Sequence, residues 1–174
     1  MSDDARTPTG IRTGIHTLAD TETDPAAALV ALGLELPVIA DDPKYINWRA
    51  SRDGSVYVSG QLPYRDGVLP LAGVVGDTVE VDAARELVAQ ATLNALAVAS
   101  SALGGIERVR IVQMLVFVRS APGFGEQSRV ADAGSELLVQ VLGEHGRHAR
   151  TAIGVAGLPR NSPVEVQLVC EARA

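Results

Sequence analysis

Gly146 to Glu171 reads GRHARTAIGVAGLPRNSPVEVQLVCE. Two runs that alternate apolar with small or polar residues flank the turn from Leu158 to Pro163. Period-two alternation of this kind specifies strands with one covered face. The closing third of the chain is therefore sheet. Arg150 opens the first run and Glu165 sits early in the second. Burying an unpaired charge costs several kcal/mol. Arg150 is thus either ion-paired, for instance across a subunit interface, or kept to bind an anion.

Side-chain alternation puts Arg150, Ala152, Gly154 and Ala156 on one face and Thr151, Ile153 and Val155 on the other. The second set looks like the core face under the helices, so Arg150 is expected to point away from them, among small neighbours that leave room for a ligand or a subunit. In the last strand Val164, Val166, Leu168 and Cys170 alternate with Glu165, Gln167 and Val169, which sends Glu165 away from the core too. A hairpin closed around Pro159 to Ser162 would set Arg150 opposite about residue 170 and Glu165 opposite about residue 155. The two would then lie roughly 16 Å apart at ~3.3 Å per residue. They could frame one site only with a neighbouring subunit, which argues for an oligomer.

Upstream, residues 1–24 are polar, rich in Thr and Asp, and are expected to form a flexible extension. One domain, 25–174, follows. Asp24-Pro25 caps a short helix that stops at Gly33. Ile46–Ala50 and Ser55–Ser59 flank Asp53-Gly54, a hairpin turn. Leu62 to Asp77, rich in glycine and proline, is a surface loop. Thr78 caps a helix through Val81, Ala84, Leu87, Val88, Ala91 and on to Ala99, ended by Leu103-Gly104-Gly105. Val109–Val118 is a β-branched strand. A second helix starts at Ser128 or Asp132 and runs to about Gly143. The strands Arg150–Ala156 and Val164–Ala172 close the chain. This order predicts an α+β fold, two helices on one face of a mixed, mostly antiparallel sheet.

The 174 residues suit one core, and aromatics at 3% make it an aliphatic one. The net charge of −6 argues against a nucleic-acid surface. Lone Cys170 allows no intramolecular disulfide and falls on the apolar side of its strand, as an inert buried thiol would. No run reaches the ~20 apolar residues of a membrane span, and the acidic N-terminus carries no secretory signal. A cytoplasmic protein is expected. His16, His145 and His148 lack metal-ligand spacing. Trp48 suits core or interface packing better than ligand stacking, and Asn94 suits a local hydrogen bond.

Several motifs resemble one family. GLELP at 33–37, YVSGQLP at 57–63, ALGGIERV at 102–109, VRSAPGF at 118–124 and GRHARTAIGVAGLP…VEV are similar to the reactive-intermediate deaminases (Rid or YjgF-like, by an older name endoribonuclease L-PSP), in a longer-chain subgroup. The resemblance spans about residues 29–172. It implies a chorismate-mutase-like α+β fold, a homotrimer with clefts between subunits, and hydrolysis of 2-imino acids derived from 2-aminoacrylate and related enamines to 2-oxo acids and ammonia, with no metal or cofactor. It places the carboxylate-binding arginine on Arg150 and the water-positioning glutamate on Glu165. Substrate contacts fall on Tyr45, Ser59 and Gly60, on Ala152 where many relatives have cysteine, and on Ser135 where they have asparagine. The partners implied are a small imino or oxo acid and further copies of the chain, with no membrane and no nucleic acid. A trimer that binds small carboxylates without turnover is the alternative. A ribonuclease fits poorly, because acid–base pairs of His or Lys are missing.

Overall fold

The computed structural model describes residues 23–40 and 46–173. Of the expected extension at 1–24, residues 1–22 lie outside the described residues, as does Tyr45. Helix α1 spans Pro25–Ala31, and Asp24 caps it by accepting from Ala26 N (2.9 Å) and Ala27 N (3.2 Å). Strands β1 (Trp48–Ala50) and β2 (Val56–Val58) form the expected hairpin, with Arg49 opposite Tyr57. Helix α2 (Val81–Leu103), strand β3 (Val109–Arg119), helix α3 (Gln127–Leu142) and strands β4 (Ala149–Val155) and β5 (Val164–Ala172) complete the fold. Thr78 does not cap α2, whose N-cap is Glu80; its hydroxyl instead accepts from Val74 N at 2.9 Å and ties the preceding loop.

The sheet runs β1-β2-β5-β3-β4. This corrects the expected β4–β5 hairpin. Strand β4 pairs parallel with β3, Arg150 opposite Met114, and β5 inserts antiparallel between β3 and β2, Glu165 opposite Phe117. The physical reason is the helix between β3 and β4. A strand–helix–strand crossover returns its second strand parallel to the first. The turn at Pro159 to Asn161 then carries the chain across β3 to the other side.

Alternation fills the core. Val164, Val166, Leu168 and Cys170 of β5 and Met114, Val116 and Val118 of β3 are buried beneath α2 and α3. Helix α2 is alanine-rich, and Ala84, Ala91, Ala95 and Ala99 are fully covered, which lets it lie close on the sheet. Leu96, also fully buried, anchors its middle; truncating it to alanine would cost about 2–5 kcal/mol. By length and composition α2 could cross a bilayer, but its apolar side is this core. Asn94, buried on α2, reaches well beyond its neighbours. Its Nδ2 donates to the carbonyls of Leu62 (2.8 Å) and Tyr64 (3.0 Å) and pins the glycine-rich loop.

The opposite sheet face has no helix layer among the described residues. Tyr57 and Ile153 lie there at 46% and 44% exposure, with partly buried Leu115, Phe117 and Val169 between them.

Candidate functional site

Arg150 stands on the helix face of β4, not away from it. Ala152 shares that side and packs against the core, while Thr151 and Ile153 are exposed on the other. The expected facing is therefore inverted. Gly154 has close neighbours at the end of β3 and the start of α3: a Cβ there would lie 2.7 Å from Ser120 Oγ and 3.0 Å from Gln127 Nε2. Gly146 makes the approach to β4 possible, since any Cβ there would run into the Leu138 carbonyl of α3.

Three α3 side chains receive the guanidinium. Nη1 donates to Asp132 Oδ1 at 2.8 Å and to Ser135 Oγ at 3.1 Å, and Nη2 donates to Ser128 Oγ at 2.9 Å. Positions 128, 132 and 135 follow helical spacing and face one way. His148 stands behind them, with Nε2 3.1 Å from Ser135 Oγ and Nδ1 2.6 Å from the Gly146 carbonyl. A carbonyl accepts only, so Nδ1 carries the proton and Nε2 accepts from Ser135. Burial holds the His148 pKa below the ordinary imidazole value; the Gly146 hydrogen bond opposes this and the nearby Arg150 cation adds to it. The neutral ring suits that arrangement.

Glu165 occupies the open face, as its alternation predicted. It is half-buried and pairs with no group among the described residues, and burial raises its pKa above the ordinary carboxylate value. Ser59 and Gly60 come to the same corner. Gln61 and Val166 pair through mutual backbone bonds of 2.8 and 3.0 Å. The carboxylate consequently lies directly over Gly60, where any Cβ would run into Glu165 Oε1. The Ser59 hydroxyl is committed to structure, donating to the Ile46 carbonyl at 2.7 Å.

The anticipated residues thus form two groups, Arg150 with Ser135 and Ala152, and Glu165 with Ser59 and Gly60. In register, Arg150 and Glu165 are three residues apart along β3 and two strands apart across the sheet. That is roughly 14 Å at ~3.3 Å per residue and ~4.8 Å per strand, with the side chains on opposite faces. The separation survives although the hairpin that suggested it does not. Asp132, Ser128 and His148 were missed as site residues. Their spacing on α3 ahead of β4 was the available signal, once the crossover put that helix over the strand.

Within the chain, the acidic partner of Arg150 is Asp132, with Nη1 2.8 Å from Oδ1. Among the described residues no cluster of three or more His, Cys, Asp or Glu could hold a metal ion.

Comparison with known proteins gives a consistent result. The family described as "YjgF/chorismate mutase-like, putative endoribonuclease" matches residues 26–172. Protein TCP17 of Trypanosoma cruzi is 40% identical over 149 residues, covering 84% of this chain and 92% of that protein. The crystal structure of Atu1372 from Agrobacterium tumefaciens, of unknown function, superposes with TM-score 0.79 at 37% identity, over 87% of this chain and 93% of that one. The crystal structure of a "putative endoribonuclease" from Shewanella oneidensis gives TM-score 0.80 at 32% identity, over 84% of this chain and 98% of that one.

Proposed function

The chain belongs to the YjgF/chorismate-mutase-like family, and from that premise we propose that it hydrolyses small 2-imino acids to 2-oxo acids and ammonia. The observation that carries this reading is the Glu165 carboxylate, half-buried, without a partner among the described residues and lying against the Gly60 backbone. A carboxylate in that state is costly for folding and useful for holding and deprotonating a water.

An imine carbon is already electrophilic, so the protein needs no nucleophile of its own. Arg150 takes the substrate carboxylate and fixes the orientation, an effect worth several kcal/mol. Water held by Glu165 adds to the C=N carbon and gives up a proton to the carboxylate. Glu165 returns that proton to nitrogen to give a carbinolamine, then relays its hydroxyl proton to the same nitrogen as the C–N bond breaks, so that ammonia leaves and the C=O forms. Backbone groups at Gly60 and Ala152 line the substrate.

The two charges lie on opposite faces of one sheet, so one copy cannot present both to a small molecule. We therefore read the site as shared, with Arg150 from one copy and Glu165 from the next, in a homotrimer. The exposed Tyr57 and Ile153 on the uncovered sheet face support such an assembly. Phosphodiester cleavage is less well supported, since the net charge is −6 and the His148 imidazole is committed to Gly146 and Ser135.

The test couples the protein to a lyase that releases 2-aminoacrylate from serine and follows pyruvate. Micromolar protein should accelerate its appearance severalfold. An unchanged rate would sink the deaminase reading.

A further inference from the structure

We propose that Asp132 sets the substrate class of this site: it occupies one side of the Arg150 guanidinium, leaves donors for a single carboxylate, and disfavours imino acids that carry a second one. This rests on the reading of Arg150 as the carboxylate anchor.

The donor inventory comes first. A guanidinium has five N–H donors. Asp132 and Ser135 take both on Nη1, and Ser128 takes one on Nη2. The Nε–H and the second Nη2–H have no partner among the described residues. Those two can receive one carboxylate, and no displacement of Asp132 is needed. Ser135 is oriented for its part from behind. It donates to His148 Nε2, which leaves its lone pairs toward Arg150.

Charge decides the rest. Arg150 and Asp132 together are neutral, so the anchor attracts its ligand through hydrogen-bond geometry more than through net charge. The Arg150 side chain is 24% exposed and that of Asp132 44%. Asp132 uses only Oδ1 on the arginine, and Oδ2 has no partner among the described residues. A fixed negative oxygen therefore stands at the rim beside the bound carboxylate. A second carboxylate on the substrate, two or three carbons away, adds a like charge beside it. For a separation of roughly 6 Å and an effective dielectric of about 40, between a surface pair and bulk water, like charges cost about a factor of ten in binding. Apolar or cationic side chains meet no such cost.

The experiment compares kcat/KM for imino acids generated in situ by an amino acid oxidase from methionine and from glutamate. The wild-type protein should favour the methionine-derived imine by at least about tenfold, and Asp132→Asn should narrow that ratio about tenfold. An unchanged ratio in the Asn variant overturns the proposal. Ser128→Ala removes a contact to the same guanidinium but no charge, so it should lower both substrates alike. If it narrows the ratio as Asp132→Asn does, charge is not the cause and the proposal fails. Should the wild type hydrolyse no imine, the deaminase reading fails separately. NMR titration of the same proteins with 2-oxobutanoate and 2-oxoglutarate then decides the role of Asp132 by the same ratio.

Discussion

Among the described residues, three side chains hold the Arg150 cation at the β4–α3 edge, whereas none holds the Glu165 carboxylate at the β5 corner. The first group is built into the fold and the second is tolerated by it. A positioned cation needs its geometry set in advance, because its task is to orient a ligand. A base needs free lone pairs, and every hydrogen bond that stabilised it would lower its pKa. The contrast makes the two halves separable by experiment.

The largest expected effect is on chemistry alone. Glu165→Gln should lower imine hydrolysis by ~10²–10⁴-fold. Its folded pKa is raised by burial, so its contribution to stability is greatest at low pH and is lost as pH rises through that pKa. Glutamine at this position should therefore raise Tm at pH 7. A lower Tm would show that the carboxylate has a stabilising partner. Activity of the unmodified protein should rise with pH through the same ionisation, above the ordinary carboxylate range.

Arg150→Ala should behave differently, raising KM at least about tenfold and also costing about 1 kcal/mol of stability, because Asp132 and two serines lose their donor. Urea unfolding beside kinetics separates the two. If the variant dissociates the oligomer instead, Arg150 is an interface residue and the anchor reading fails. Gly60→Ala is a finer probe. The new methyl group would displace the Glu165 carboxylate, a flexible side-chain end. Activity should fall about tenfold with Tm nearly constant, since ~1 Å of misplacement costs up to 10²-fold. The smallest effect belongs to the edge. The lowered His148 pKa means its contribution to stability is present above the ordinary imidazole value and is lost as pH falls through the folded one. Melts between pH 7.5 and 5 should decline less in His148→Gln.

Helices α2 and α3 and strands β3 and β5 were legible because long periodic runs leave little choice of element. Neighbours were less so. Alternation marks β4 as a strand without saying which strand it joins, and the proline-containing turn after it resembled a hairpin. The helix between β3 and β4 carried the missing information, since a crossover of that kind returns parallel. Which face of β4 is covered was ambiguous for a related reason. Small Ala152 and Gly154 suggest room for a ligand, but Ala152 packs against the core and a Cβ on Gly154 would meet Ser120 and Gln127. Glu165 was placed correctly because its neighbours Val164 and Val166 are large and apolar, and only one face of β5 could be core. Asp132 went unnoticed as a partner because a single acidic residue on the polar side of an amphipathic helix carries no signal until the strand beneath it is known.

Cys170 makes the chain its own reporter. Its thiol is buried where β2 meets β5, donates to the Val56 carbonyl at 3.6 Å, and has its pKa pushed up to about 12 by burial. A water-borne alkylating reagent meets a thiolate there only when β2 lifts from β5. The rate at which this single sulfur is labelled is therefore a clock for opening of the hairpin strand that delivers Gly60 to Glu165. A ligand that bridges that corner should slow the clock, and one that binds elsewhere should leave it running.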